Sequence, residues 1–251
     1  MTDVTHRQHQ RHWIGTAAAT SDPKWERYAA GTGLIAAACM LASYLLLTAA
    51  DTPRTGGAAL QAFYADAGKR NLLTWSWLMV CFGAAFSAWF LGTLRIVLRR
   101  AEGEQGRVSG IGYGAGLASV ILFVAGSALM TPIASAMRFD HHFTYDPVGD
   151  AHLQSLLRYL SYALLAPAGI LAAVLVGATA VVVLRTAVFA RWFGITSVVV
   201  TVALLLTPFL NLLPVVLIPL WTIAASVLAM RAVSHRDRIV DVTTGPASPA
   251  A

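Results

Sequence analysis

The chain has 251 residues, of which 57% are hydrophobic and only 12% are charged. That charged fraction is about half the average of soluble proteins, and no polar stretch is long enough to build a separate core, so the composition indicates one membrane domain with short polar ends. The net charge of +6 would favour nucleic-acid binding in a soluble protein. Here the basic residues flank apolar segments, where they hold orientation and meet lipid headgroups, so the expected partner is the bilayer and not nucleic acid.

The first apolar segment covers residues 28–50 and follows a polar stretch rich in charges and histidines. That stretch lacks the apolar core of a signal peptide, so residues 1–27 are interpreted as a cytoplasmic N-terminal tail. The segment itself is long enough to cross a bilayer and to remain in it.

Three further apolar segments follow at 72–98, 110–132 and 159–184. Each reaches the length that a helix needs to cross a hydrocarbon core of about 30 Å. The apolar segment at 110–132 can extend to Met137, and the helix that contains 159–184 can start earlier, at Asp150. Their continuous apolar character lacks the two-residue alternation of barrel strands, so an all-α polytopic membrane helix bundle is predicted.

The 39 residues at 192–230 are predicted to form two more spans. One straight helix of this length would extend about 58 Å, which is far more than the bilayer core. A tight hairpin that turns at Asn211 and Pro214 solves this problem, with kinks expected at Pro208 and Pro219. The alternative is a single crossing.

Charge predicts how these six helices are oriented. Thirteen of the eighteen Lys and Arg residues fall on the side of the N-terminus, and the other five are Arg54, Lys69, Arg70, Arg138 and Arg158. Under the positive-inside rule both termini are then cytoplasmic. The transmembrane domain is placed at 28–231 and a disordered cytoplasmic tail at 232–251.

Two stretches in the outer loops are also predicted to be helical. Leu60, Phe63, Tyr64 and Ala67 follow i, i+3, i+4, i+7 spacing, which is typical of a short amphipathic helix lying on the outer surface. Asp150 is the predicted N-cap of the other helix, whose apolar residues are Leu153, Leu156, Leu157 and Leu160.

The second outer loop also gathers side chains of the types that bind zinc, imidazole and carboxylate. The candidate metal ligands are Asp140, His141 and His142, joined by Asp146, Asp150 and His152. Their spacing matches no known metal site, so a solvated loop is the favoured interpretation.

The predicted spans contain no Asp, Glu, Lys or His well inside their limits. Proton-coupled transporters normally hold ionisable groups at mid-membrane, so proton-driven transport is disfavoured. Arg95 lies about one turn from the inner end of its span and is interpreted as a boundary residue that reaches the headgroups. Asp51, just outside the first span, is the other polar residue of interest.

Small residues recur at helical spacing in two of the spans. They form two rows in the third span and one in the first: Gly110, Gly114 and Ala118; Gly112 and Gly116; Ala29, Gly33 and Ala37. Small residues four apart let helices approach closely in lipid. The third span is therefore expected at a close helix–helix contact, either within the bundle or between copies of the chain.

No catalytic or cofactor motif supports an enzyme. GxSxG, HExxH and nucleotide-binding loops are missing from the sequence, and no cofactor is expected. Ser87, Ser127 and Ser161 are expected to bond to backbone or to other helices. Cys39 and Cys81 fall in apolar spans and are expected to act as small apolar residues.

Several short stretches resemble a group of uncharacterised six-helix membrane proteins found mainly in actinobacteria. The stretches are DTP at 51–53, AFYAD at 62–66, WFLGTLRIVLRRAEG at 89–103, LRTAVFARWFG at 184–194 and PLW at 219–221. The resemblance implies six helices and a bacterial plasma membrane, and it implies no activity.

Two hypotheses about function follow. The first is a non-enzymatic accessory or oligomerising membrane subunit, which the glycine rows and the lack of buried charge favour. The second is a permease or channel for a small uncharged or lipophilic solute, because prolines inside spans are typical of helices that line substrate cavities.

Overall fold

The fold is described by a computed structural model. It covers residues 23–53, 57–103, 105–140, 142, 146, 149–206 and 213–243. Within these residues there are eight α-helices and no strand. The helices are α1 (Pro23–Ala50), α2 (Gly57–Ala65), α3 (Ala67–Glu102), α4 (Arg107–Ala128), α5 (Pro132–Phe139), α6 (Gly149–Thr186), α7 (Arg191–Leu205) and α8 (Leu213–Thr243).

Five helices, α1, α3, α4, α6 and α8, are long and apolar enough to cross a membrane. The prediction of an all-α membrane helix bundle is therefore confirmed. The fifth predicted span corresponds to α7, which is apolar but has only 15 residues. At about 1.5 Å per residue it extends about 22 Å, which is less than a hydrocarbon core of about 30 Å.

The six helices of the bundle form a ring in the order α1, α3, α4, α6, α7, α8. Neighbours in this ring run antiparallel, because each successive helix returns through the bundle. The contacts of α1 with α3 and of α4 with α6 are the most extensive, whereas α7 meets α8 over a small area. The ring therefore consists of tightly packed pairs with its narrowest contact between α7 and α8.

The two ends of the ring differ in charge. One end, here called the basic end, holds the starts of α1, α4 and α7 and the residues Arg27, Arg95, Arg99, Arg100, Arg107, Arg185, Arg191 and Arg231. The other end, here called the opposite end, holds Lys69, Arg70, Arg138 and Arg158 among the described residues. At the basic end Arg100 and Glu26 form a bidentate ion pair, with N–O distances of 2.8 and 2.9 Å, that joins α3 to α1.

Arginines at the opposite end donate to neutral oxygens of neighbouring segments. The guanidinium of Arg70 donates to the Tyr64 carbonyl, and that of Arg158 donates to the Pro53 carbonyl at 2.9 Å. The Arg138 guanidinium donates to the Asn71 side chain, also at 2.9 Å. These bonds fasten α2, α5 and the start of α6 to the bundle.

The predicted amphipathic helix exists as α2, but its apolar face does not lie on the membrane surface. Leu60, Phe63 and Tyr64 are buried in the protein. They share a small core with Ile133 and Ala134 of α5. The two short helices thus cap part of the opposite end, because the apolar stripe of α2 finds a protein surface to cover.

The third span ends before its predicted limit, whereas the fourth helix starts within one residue of Asp150, the earlier start that the sequence allowed. The third span ends at Ala128, and Pro132 starts a separate helix, α5, as proline is suited to the first turn. The fourth helix starts at Gly149, and the carboxylate of Asp146, not that of Asp150, accepts a hydrogen bond from the Gly149 N–H at 2.9 Å. The Asp150 carboxylate instead accepts from the Asp146 N–H at 2.6 Å.

The predicted hairpin at 192–230 appears as α7 and α8. Asn211 and Pro208 lie outside the described residues, whereas Pro214 is in the first turn of α8 and Pro219 is inside that helix. The helix α8 continues to Thr243, so residues 232–243, assigned from sequence to the tail, are helical. Residues 1–22 and 244–251 are outside the described part of the chain.

Candidate functional site: an apolar cavity inside the ring

A cavity of about 120 Å³ lies inside the ring of helices. Five helices, α1, α3, α4, α6 and α8, contribute residues to its wall. On α1 these residues are Ala36, Ala37 and Met40, which lie near the middle of the helix. On α8 they begin at Pro214, the residue next to its start. The cavity therefore extends from the middle of the bundle towards the opposite end.

Small side chains on facing helices create this space. Ala36 of α1, Gly116 of α4, and Ala168, Gly169 and Ala172 of α6 all line the cavity. Small residues let helix backbones approach where they touch, and they leave room where several of them face one interior point. The ring is thus closed at the helix contacts and hollow at its centre.

Large residues bound the cavity. The ring of Phe90 in α3 lies against the α1 backbone at Gly33, where an added Cβ would be 2.7 Å from the nearest ring carbon. Gly33 is therefore needed for this position of Phe90. Trp221 of α8 also lines the cavity and stacks on Phe193 of α7, with ring centroids 5.9 Å apart and planes inclined by 23°.

None of the described residues that line the cavity carries a charge, and few are polar. The polar ones are Ser87, Ser119, Tyr162 and Thr222. Ser119 donates to the Ala168 carbonyl at 2.8 Å, which joins α4 to α6. The wall is thus apolar with a few neutral hydroxyl groups, a composition typical of sites for small organic molecules.

Arg95 lies away from this cavity, near the basic end. Its guanidinium carbon is 4.9 Å from the centre of the Tyr113 ring, a distance suited to a cation–π contact. The Arg95 side chain is exposed on the outside of the bundle. This position fits a boundary residue that reaches the headgroup region.

Asp51 terminates α1. Its backbone has a φ of +48°, in the left-handed region that aspartate tolerates better than most residues. Its side chain is exposed, and its N–H bonds to the Thr48 carbonyl at 3.2 Å. Asp51 is therefore placed at a helix end and does not contribute to the cavity.

The candidate metal ligands between α5 and α6 are only partly described. The Asp140 carboxylate accepts a hydrogen bond from the His142 N–H at 2.9 Å, and both residues are exposed. His141 lies outside the described residues. Across the described ranges no three His, Cys, Asp or Glu side chains come together as metal ligands would.

The two glycine rows of α4 face different surroundings. A Cβ on Gly112 would lie 3.0 Å from Ala178 Cβ of α6, and one on Gly116 would lie 3.1 Å from Leu175 of α6. A Cβ on Gly110 or Gly114 would have no neighbour within 4 Å. The row of Gly112 and Gly116 lets α4 approach α6, and the row of Gly110 and Gly114 faces away from the bundle.

The cavity has no direct signature in the sequence. The structure places Ser87, predicted to bond to backbone or to another helix, in the wall of the cavity, and Thr222 lines it as well. The available clue was the recurrence of small residues on one face of α6, at Ala168, Gly169 and Ala172. That clue indicates a cavity only once the helices facing α6 are known.

Comparison with known protein families, curated proteins and solved structures gives no match for this chain.

Proposed function

We propose that this membrane protein binds a small uncharged or lipophilic molecule in its central cavity, as a permease or channel for such a solute would. The observation that carries this proposal is the cavity itself, which lies inside the ring and has walls from five helices. Prolines inside α6 and α8, Pro167 and Pro219, add a feature that is common in helices around transport sites.

The size of the cavity limits the ligand. Its volume of about 120 Å³ is close to that of an engineered apolar cavity of about 150 Å³ that binds benzene. A ligand with about six to ten non-hydrogen atoms fits this space. The end of a longer apolar chain would also fit.

The chemistry of the wall excludes charge. No charged side chain faces the cavity among its described lining residues, and an unpaired ion is costly to transfer into an apolar site within a membrane. The substrate class is therefore neutral and mainly apolar.

We further propose that the basic end is cytoplasmic and that the membrane is a bacterial plasma membrane. Eight arginines with described side chains lie at the basic end, against four Lys and Arg residues with described side chains at the opposite end. Under the positive-inside rule this difference supports cytoplasmic termini and a cavity in the outer half of the bilayer. The assignment to a bacterium, and to the actinobacterial six-helix proteins, rests on the short stretches similar to that group.

Photolabelling tests the proposed binding. The purified chain in lipid nanodiscs is irradiated with a small aryl diazirine, and labelled residues are mapped by mass spectrometry. Saturable labelling of cavity residues is expected, and Ala172→Phe, which fills the cavity, should abolish it. The matched control is Ala163→Phe on the exposed face of α6, which should leave saturable labelling intact. Labelling that is confined to lipid-facing residues and does not saturate would overturn the proposal.

A second candidate function is self-association as an oligomerising or accessory subunit. The observation that favours it is the open row on α4, where Gly110 and Gly114 meet no neighbour within 4 Å and Ala118 continues the row. Crosslinking in native membranes tests it, with Gly114→Leu as the disrupting variant and Gly92→Leu, also without neighbours within 4 Å, as the control. Detection of monomers alone would contradict this candidate.

A further inference from the structure

We propose that the cavity selects an apolar molecule with a single neutral oxygen group, such as an alcohol or a phenol, and that the hydroxyls of Ser87 and Thr222 bind this oxygen. This inference rests on the proposed function and adds to it the polar group that the ligand carries. The observation behind it is that both residues line the cavity and neither side chain makes a hydrogen bond to another described residue.

Thr222 departs from the other helical threonines of the chain. Within a helix a threonine hydroxyl readily donates to the carbonyl three or four residues earlier. The threonines that do so here are Thr32, Thr48, Thr74, Thr93, Thr179, Thr186, Thr196 and Thr201. Thr222 makes no such bond, although it is only 9% exposed. Its hydroxyl is therefore left for a group inside the cavity.

Ser87 on α3 likewise makes no hydrogen bond to another described residue. Several buried serines of the spanning helices bond to a neighbouring helix, as Ser119 does to the Ala168 carbonyl and Ser226 does to the Ala30 carbonyl. Ser161 is also buried without a partner among the described residues, but it does not line the cavity. Ser43 and Ser76 bond to each other at 3.0 Å. Ser87 has no such partner in the described part of the chain, and its side chain lines the cavity from α3.

Pro219 adds an acceptor to the same wall. Proline has no N–H, so Pro219 cannot donate the helical hydrogen bond to the carbonyl of Val215, four residues earlier. Both residues line the cavity. A ligand hydroxyl can thus accept from Ser87 or Thr222 and donate to an oxygen of the wall, which favours an alcohol or a phenol over a hydrocarbon.

Unpaired polar groups in an apolar interior are unfavourable unless something pairs with them. One water can pair with Ser87, Thr222 and the Val215 carbonyl, since a buried water has two to four polar partners. The remaining wall is almost entirely apolar, and the volume exceeds what one water fills. An amphiphilic molecule satisfies both parts of the wall at once.

The test uses the full chain in nanodiscs and competition against the saturable diazirine label. The competitors are cyclohexanol and methylcyclohexane, which are alike in size and differ in the hydroxyl. Thr222→Val keeps the shape of the side chain and removes its hydroxyl, and Ser87→Ala does the same on the other wall. Each variant is expected to weaken competition by cyclohexanol about three- to tenfold, the effect of losing one neutral hydrogen bond, with methylcyclohexane unchanged. For each competitor, the concentration that displaces the label is compared as the ratio of variant to wild type, so that its partition into lipid cancels.

Thr196→Val is the matched control. Thr196 is exposed, and its hydroxyl bonds to the Trp192 carbonyl of its own helix at 2.9 Å, so this variant should change neither competitor. If both competitors act equally on wild type and on both cavity variants, the hydroxyl assignment is overturned and the apolar site stands. If neither competitor displaces a saturable label in wild type, the inference fails, whereas the proposed function fails only if labelling of the cavity does not saturate. Ser87→Ala decides the outcome alone if Thr222→Val does not fold.

Discussion

The indole N–H of Trp221 donates a hydrogen bond to the hydroxyl oxygen of Ser197 across 3.0 Å, and this bond joins α8 to α7. Both residues are buried, and Trp221 also stacks on Phe193 of α7. The α7–α8 contact is the smallest between neighbouring helices of the ring. The contacts of Trp221 with Ser197 and Phe193 therefore contribute much of the interaction that holds α7 to α8. Because Trp221 also lines the cavity, ring closure and cavity shape depend on the same residue.

Ser197→Ala is expected to destabilise the bundle by about 0.5–1.5 kcal/mol, because it leaves the buried indole N–H without a partner. The measurement is reversible unfolding in mixed detergent micelles. Thr196→Ala serves as the control, since Thr196 is exposed and bonds only within its own helix among the described residues. Equal stability of the two variants would show that the bond does not hold α7 to α8.

Gly33→Ala is expected to destabilise the protein by about 1–3 kcal/mol, because the new Cβ would overlap the Phe90 ring and force it to move. Phe90 lines the cavity, so its displacement should also weaken saturable labelling of cavity residues. Gly114→Ala is the matched control, since a Cβ there has no neighbour within 4 Å. An unfolding free energy that is unchanged in Gly33→Ala would mean that α1 and α3 can separate at no cost.

The positions of the helices along the chain could be predicted from the sequence, whereas the surfaces against which each helix packs could not. Continuous apolar character located the spans, because lipid forces helix on such segments. The spacing of Leu60, Phe63 and Tyr64 indicated an apolar face, but it did not indicate whether lipid or protein covers that face. The structure supplies the covering residues, Ile133 and Ala134, which are distant in sequence.

The cavity escaped prediction for a related reason. Ser87 and Thr222 have no sequence signature that separates them from serines and threonines with a partner on a neighbouring helix. The role proposed for them depends on α3 and α8 facing one interior space, which follows from the order of helices in the ring. The absence of charge in the spans could be seen in the sequence, and the described residues that line the cavity carry no charge either.

Glu102→Ala is expected to destabilise the protein by about 1 kcal/mol through loss of a helix cap. Gly106, the residue before α4, supplies no side-chain cap. The Glu102 carboxylate instead accepts from the N–H groups of Val108 and Ser109 at 2.8 and 2.9 Å. Thermal unfolding measures the effect, and Glu102→Gln should retain part of the stability because its amide oxygen can still accept. A larger loss in Glu102→Gln than in Glu102→Ala would contradict the capping role.

Labelling of single cysteines should show which end of the ring is extracellular. In a Cys39→Ala, Cys81→Ala background, Gln61→Cys and His142→Cys place exposed thiols at the opposite end, and Gln105→Cys and Ala190→Cys place them at the basic end. The excess of arginines at the basic end predicts that a membrane-impermeant maleimide labels only the first pair in intact cells. The second pair should react after permeabilisation, which controls for accessibility. The reverse pattern would place the cavity in the cytoplasmic half.

The same labelling decides whether the short helix α7 crosses the membrane. At about 22 Å it falls short of the hydrocarbon core, although it lies between α6 and α8 in the ring. If α7 crosses, Asn211→Cys reacts in intact cells together with Gln61→Cys, and a cysteine at Ala251 does not. If the Ala251 cysteine reacts from outside, residues 192–230 cross once. The C-terminus would then be extracellular, and α8 could not run antiparallel to α1 as the ring requires.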